Sequence, residues 1–398
     1  MRPLAGLTIL DLSRVLACPF ASMILAELGA EVIKVEQPGS GDETRGFEPF
    51  AQGPEGSVSG YYMACNRAKR SITVNMRHEE GRAIIRGLAA QADVLVENFP
   101  VGTLKRRGLD FASLRDVNPR LIYLSCTGFG QTGPYAQRKG YDTVFQAMGG
   151  LMSLTGERGG GPVKPGLPVA DLTSGLWVAI AILAALRGRE ATGQGGHIDF
   201  SMLDGQVSLL TIAAARFFAL GEVPPRLGTE HPGRVPTASF RCKDGRFLHI
   251  TCSDQHWRPL CSVLALDGLA ADEGLATNAG RLARRAEVMA VLTAALAAMT
   301  RAEAVAALDA ADVPNGPVLA LDEVMADPHV QARGMVGGFA HPLLGDFPAL
   351  PIPFKFEGWD QPEVARPPLL GEHTATILAE RLGYDAARIE ALKEAGAI

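Results

Sequence analysis

Short apolar runs alternate with helical stretches through the first 200 residues, and this alternation constrains the fold more than any other feature of the chain. "LTILDL" (7–12) reads as a buried strand, and "PFASMILAELGA" (19–30) as a helix that Gly29 helps to stop. "EVIKVE" (31–36) is the next strand, followed by a loop rich in Gly, Pro and acids that runs to about residue 60. "SITVN" (71–75), a helix over 79–92 and "DVLVEN" (93–98) repeat the unit, and "LIYLSCTGF" (121–129) adds a further strand. Strands alternating with helices of this length predict an α/β fold with a doubly wound parallel sheet. Such sheets bind ligands outside the carboxyl ends of their strands, which points to the loops 11–19, 36–42, 97–102 and 127–133. The first of these, "DLSRVLACP", has no GxGxxG, so a nicotinamide-type phosphate loop is disfavoured.

A chain of 398 residues with 47% hydrophobic and 20% charged residues can bury a large core and is long enough for two domains. The pattern changes after "HIDFSML" (197–203) and an apolar helix ending near Leu220, and the Pro/Gly-rich stretch "VPPRLGTEHPGRVP" (223–236) leads into different material. There "SFRCKDGRFLHITC" reads as a hairpin turning at Asp244 and Gly245, with Ala-rich helices over roughly 284–311 and a strand in "VPNGPVLAL" (313–321). The tail "ARPPLLGEHTATILAERLGY" returns to helix. The expected division is a large domain of 1–203 and 340–398 and an inserted smaller α+β domain of 225–330, with linkers 204–224 and 331–339.

Several function classes drop out. A net charge of −5 and a pI near 6.0 give no global basic field for nucleic acid. Six cysteines lie scattered without CxxC spacing, which reads as reduced thiols in a cytoplasmic protein. "HEEGR" from His78 lacks the second His of a zinc-protease helix, so neither metal nor resident cofactor is expected. "MRPLAGLTILDL" has no signal-peptide pattern. The apolar run "LWVAIAILAAL" (176–186) is short for a bilayer span and reads as a buried helix, so no membrane partner is expected. At its edge "GLPVADLTSG" (166–175) carries one acid, Asp171. A helix N-cap is the simplest use of such a residue, and a chemical role is the other.

Seven stretches carry a resemblance: "VIKVEQPGSGDETR" (32–45), "NRAKRSITVN" (66–75), "VENFPVGTLKRRGL" (96–109), "GFGQTGPYAQRKGYD" (128–142), "GLPVADLTSG", "HIDFSMLDGQ" (197–206) and "RPPLLGEHT" (366–374). In this order they resemble the class III CoA-transferases, the family that includes formyl-CoA transferase and carnitine CoA-transferase. The resemblance runs from Pro3 to the C-terminus. It implies an interlaced homodimer, with acyl-CoA and a carboxylic acid as substrates, and covalent catalysis on Asp171 through an acyl anhydride and then an aspartyl-CoA thioester. A carboxylate can attack a thioester, and the anhydride is reactive enough for a thiolate to open once water is excluded. The similarity leans toward succinyl-CoA as donor and a dicarboxylate as acceptor.

The same resemblance makes Lys69 and Arg70 contacts for CoA phosphates, and Arg106 another, with Lys105 and Arg107 sharing the charge. Asn98 and Phe99 match residues lining the adenine pocket, where Phe99 can stack on the base. Lys139, Tyr141 and Asp142 match positions near the thioester. The chain departs from formyl-CoA transferase in two places: Leu16 stands for a glutamine beside the acyl group, and "TCSDQHW" (251–257) for a glycine-rich shielding loop. A distal carboxylate on the acceptor calls for a guanidinium, and Arg14, Arg45 and Arg234 are candidates, with surface ion pairing as the alternative for each. The nearest rival is α-methylacyl-CoA racemase, whose histidine lies in a GHD context. Tyr141 replaces it here and is no base near neutral pH. A non-catalytic CoA-binding protein is the other alternative, and would need no acid at Asp171.

Overall fold

Six strands form one sheet: β1 (Thr8–Asp11), β2 (Glu31–Glu36), β3 (Arg70–Thr73), β4 (Val94–Glu97), β5 (Ile122–Thr127) and β6 (Gly196–Ser201). Their order is β3-β2-β1-β4-β5-β6, and every neighbouring pair is parallel. The computed structural model describes residues 1–398. The chain lays down β1 to β3 in one direction, then crosses back to place β4 on the other side of β1. The loops leaving β1 and β4 therefore part at a switch in strand order, where such sheets form a crevice.

Both faces of the sheet are covered, as the continuous apolar strands require. On one face lie the Ala17–Glu27 helix and the long Val169–Thr192 helix, packed around Ala21, Leu25, Val178 and Ile182. On the other lie the Glu79–Ala89 and Phe111–Arg115 helices, and the tail helices Thr374–Leu382 and Ala386–Glu394, which contribute Ile377, Leu378, Ile389 and Leu392 to that core. Each such side chain stabilises the fold by about 1.5–3 kcal/mol when fully buried.

The chain divides into two compact units, one of Met1–Leu151, Lys164–Ala215 and Pro328–Ile398, the other of Met152–Val163 and Arg216–Asp327. The second contains an antiparallel sheet of Thr237–Arg241, Phe247–Thr251 and Asn315–Pro317. Its hairpin turns at Asp244 and at Gly245, which takes a φ of +78°. The stretch 251–257 ends that second strand and begins the Asp254–Val263 helix, with Ser253 and His256 forming its capping box.

Two local expectations need correction, and one is met. The loop to residue 60 holds a hairpin, Phe50–Gly53 with Gly56–Ser59, hidden from a reading of hydrophobic periodicity by its polar composition. The apolar helix expected to end near Leu220 is Thr211–Leu220, and within 204–224 it follows most of the Met202–Ser208 helix. The run 176–186 is not wholly buried: it belongs to a helix of 24 residues, long and apolar enough by length and composition to cross a membrane. One face, with Val178, Ala179 and Ile182, packs on the sheet, while Leu176, Trp177, Ile180 and Leu183 stay exposed.

Candidate active site

Asp171 does not cap its helix. Pro168 occupies the N-cap position of the Val169–Thr192 helix and has no side-chain acceptor, which puts Asp171 third in the first turn. The cap comes from the Asp142–Met148 helix: Asp142 Oδ1 accepts the backbone N–H of Ala170 at 2.9 Å and of Asp171 at 3.2 Å. Asp142 Oδ2 accepts from Nε2 of the buried Gln146 at 2.6 Å. The Asp171 carboxyl is thus left out of the capping, and burial together with the Asp142 charge pushes its pKa up to about 7. Tyr61, from the Gly60–Cys65 helix, faces the same pair of acids. Burial first, and then the Asp171 charge, push its hydroxyl up to about 12.

Gly175 explains the glycine one turn further on. A Cβ there would lie 2.7 Å from the Ala17 carbonyl oxygen and 2.9 Å from a ring carbon of Phe20, so bare backbone lets the two helices touch. That contact brings the start of the Ala17–Glu27 helix, with the buried Leu16 before it, against the turns that carry Asp171. The loop 13–16 is held on every side. Lys34 Nζ donates to the Ser13 carbonyl at 3.0 Å, and Asn98 clasps Arg14 by accepting its N–H at 2.9 Å and donating to its carbonyl at 2.7 Å. Val15 donates to Asp42 at 3.4 Å and accepts from Cys65 Sγ at 3.4 Å. With these partners Val15 sits at φ +69°, a conformation that costs a β-branched residue roughly 1–3 kcal/mol.

The candidate CoA contacts separate into two groups. Lys69 is fully buried and donates to Asp11 Oδ2 at 3.0 Å, the Pro19 carbonyl at 2.9 Å and Asn66 Oδ1 at 2.9 Å. An ammonium has three N–H donors, so Lys69 has none left for a phosphate. The reason is Asp11, a buried acid at the end of β1: burial alone would raise its pKa, but Lys69 and Lys34 hold it well below the usual range. Arg70 pairs with Glu31 at 2.7 Å and Glu380 at 3.1 Å. Arg45 grips Glu36 through two bonds of 2.8 and 2.7 Å and also meets the Tyr62 hydroxyl, so it is no free acceptor site. Arg234 is exposed in the second unit. Lys139 is exposed, and Tyr141 is 76% exposed directly before Asp142.

The other group surrounds a cleft of about 300 Å³ at the carboxyl end of β4, lined by Glu97, Phe99, Lys105, Phe111, Tyr123 and His197. Phe99 forms one wall, with the Arg14 guanidinium 4.9 Å from its ring centre. Asn98 faces away from a ligand role, since both ends of its amide hold Arg14. Arg106 is exposed near the rim. Arg107 is depressed below the usual guanidinium range by burial and by the charges of Arg77, Arg106, Arg82 and Arg14. Four arginines thus act on Arg107, an arrangement suited to phosphates, although Arg14 also pairs with Glu43 at 3.9 Å. Arg77 and Arg82 escaped the sequence reading, although Arg77 follows the carboxyl end of β3, where the strand-end rule applies. At the cleft floor, burial pushes Glu97 up to about 7 despite hydrogen bonds from Ser125 and the Phe99 N–H.

A family model described as CoA-transferase family III matches residues 4–374. The chain is 40% identical to the succinyl-CoA:glutarate CoA-transferase of Mus musculus, over 100% of this chain and 91% of that one. It is 34% identical to a formyl-CoA:oxalate CoA-transferase of Rhodopseudomonas palustris, over 100% of this chain and 97% of that one. Among solved structures, a CAIB/BAIF family protein from Brucella suis superposes with a TM-score of 0.87 at 43% identity, covering 95% of this chain and 99% of that one.

Proposed function

The chain belongs to CoA-transferase family III and is an enzyme of that class, and from that premise we propose that it moves CoA from succinyl-CoA to a second dicarboxylate through covalent intermediates on Asp171. The observation that carries the reading is the Asp171 carboxyl itself: half-hidden in the first turn of a helix, excused from capping, and raised to about 7 so that its anion is a basic nucleophile.

In the proposed sequence an Asp171 oxygen attacks the thioester carbonyl, the C–S bond breaks, and the CoA thiolate leaves behind a mixed anhydride. The thiolate then attacks the Asp171 carbonyl carbon and expels the donor as its carboxylate, which leaves an aspartyl-CoA thioester. The acceptor carboxylate attacks that carbon and frees the thiolate again. The thiolate finally attacks the acceptor's acyl carbon, releasing the new acyl-CoA and the Asp171 carboxylate. Each step exchanges groups of similar reactivity, which favours transfer over hydrolysis where water is kept out.

The arginine cluster of Arg77, Arg82, Arg106 and Arg107 suits the CoA phosphates, and Phe99 suits the adenine. Arg14, which stays exposed while pairing with Glu43 at 3.9 Å, and the exposed Arg234 are the acceptor candidates. The dicarboxylate acceptor follows the names of two relatives, the mouse enzyme and the succinate–glutarate CoA-transferase of Agrobacterium fabrum, which is 40% identical over 95% of each chain. A homodimer fits the exposed apolar face of Leu176, Trp177, Ile180 and Leu183, and a cytoplasmic setting fits six free, buried thiols. Incubation with succinyl-CoA and a panel of mono- and dicarboxylates, with new thioesters identified by mass, tests the reading. Failure to form any new thioester would sink it.

A further inference from the structure

We propose that Asp142 is a positioning residue: its carboxylate takes the first backbone N–H groups of the Val169–Thr192 helix, so that the Asp171 carboxylate is held toward substrate without their stabilisation. The inference rests on Asp171 being the nucleophile. It assigns to Asp142 a role that its place in "RKGYD" does not reveal.

A helix N-terminus offers four unpaired N–H groups and a partial positive charge, and a carboxylate in the first turn ordinarily gains from both. That gain would make the Asp171 anion more stable and less reactive, since the reactivity of a base or nucleophile falls with its basicity. Here Asp142 Oδ1 occupies two of the N–H groups, those of Ala170 and of Asp171 itself. The same carboxylate adds a like charge that opposes ionisation of Asp171. Tyr61 is the other titratable group facing the pair, and its hydroxyl stays neutral in the physiological range, so no cation offsets the repulsion.

Asp142 is itself anchored. Gln146, fully buried, donates to Asp142 Oδ2 at 2.6 Å and lies 3.5 Å from the Leu167 carbonyl just before the long helix. Its Oε1 has no partner. This makes Asp142→Asn an informative change. The asparagine oxygen can still accept the two backbone N–H groups, and a flipped Gln146 amide can accept from the new NH2 group with the oxygen that is now unpaired. The cap survives and only the charge is lost.

The experiment is the pH dependence of kcat/KM for CoA transfer from succinyl-CoA in wild type, Asp142→Asn and Asp142→Ala. In the wild type the rate should rise with pH as Asp171 ionises near 7. In Asp142→Asn that rise should move toward acid by about one unit or more, because the like charge is gone. At alkaline pH kcat should fall several-fold, with KM for succinyl-CoA little changed. Asp142→Ala should lose the cap as well, with a further drop in kcat and a lower melting temperature. If wild type transfers CoA and Asp171→Ala does not, but Asp142→Asn leaves the profile unmoved, the proposal is wrong while the mechanism on Asp171 stands. An active Asp171→Ala overturns both. Should Asp142→Asn not fold, Gln146→Leu keeps the charge and the cap but frees Oδ2. A kcat equal to wild type in that variant would also overturn the anchoring role.

Discussion

The backbone nitrogen of Asp171 lies 3.2 Å from Oδ1 of Asp142, a residue 29 positions earlier in the chain. Burial and, after it, the Asp142 charge raise the Asp171 carboxyl to about 7. Between its unfolded value near 3.8 and about 7 the folded chain holds a proton that the unfolded chain has lost, so this group makes stability fall as pH rises through that window.

Asp171→Asn should therefore abolish transfer and stabilise the fold at alkaline pH. The gain should be absent near pH 4, grow between about 4 and 7, and level off above that at about 1–2 kcal/mol, below the full linkage value because the carboxyl keeps some solvent. Thermal melts of both proteins across that range give the answer. A gain that is largest in acid would mean that Asp171 is stabilised as its anion.

Arg106→Ala and Arg77→Ala should each raise KM for acyl-CoA about tenfold, the worth of a charged hydrogen bond of roughly 1.5–3 kcal/mol, and the penalty should shrink as salt increases. Lys69→Met should behave differently, since it removes the ion-pair partner of Asp11 and leaves that buried charge to Lys34 and the Ser13 and Ser22 hydrogen bonds. About 3–5 kcal/mol of stability should go, and surviving folded enzyme should bind acyl-CoA nearly as the wild type does. Saturation curves and denaturant titrations separate the two outcomes. A large KM effect in folded Lys69→Met would restore this residue to the phosphate site.

The first five strands were legible because they are largely buried and the intervening helices have their own period, so β2, read at 31–36, falls on Glu31–Glu36, whereas β6, Gly196–Ser201, alternates half-buried with exposed residues and was not read as a strand. The Asp244-Gly245 hairpin was legible from turn chemistry alone. Pairings across the chain were not. That Lys69 turns inward to Asp11, 58 residues away, while Arg77 joins Arg106 and Arg107, depends on which acids the sheet buries. "NRAKR" offers three cations with no sign of which way each will face. The same limit hid the Asp142 cap, because a carboxylate that caps a distant helix looks in sequence like one that caps its own.

Gly175→Ala should cost stability although alanine is the better helix former by about 1 kcal/mol. The added methyl meets the Ala17 carbonyl oxygen at 2.7 Å, and backbone cannot swing aside as a side chain can. A net loss of about 1–3 kcal/mol is expected, with a fall in kcat as the long helix moves away from loop 13–16. A variant that melts higher than wild type with full activity would show that the two helices have slack at this contact.

A covalent adduct separates a transferase from a racemase built on the same pocket. A racemase removes and returns the proton α to the thioester, and needs a base with a pKa near neutrality on each side of that carbon. Asp171, near 7, can serve on one side. On the other, the position of the racemase histidine holds Tyr141, a phenol rather than an imidazole, 76% exposed. Transfer needs only the one carboxylate and a thiolate that returns. Succinyl-CoA without acceptor should thus leave a CoA-linked, hydroxylamine-sensitive adduct on the peptide containing Asp171, seen by intact mass and peptide mapping. Leu16, an apolar side chain where formyl-CoA transferase carries a glutamine, offers the adduct no hydrogen bond, so it should decay by hydrolysis over the course of the measurement. Deuterium uptake at the α-carbon in heavy water, with no adduct on Asp171 and no CoA exchange among carboxylates, would instead make the enzyme an isomerase.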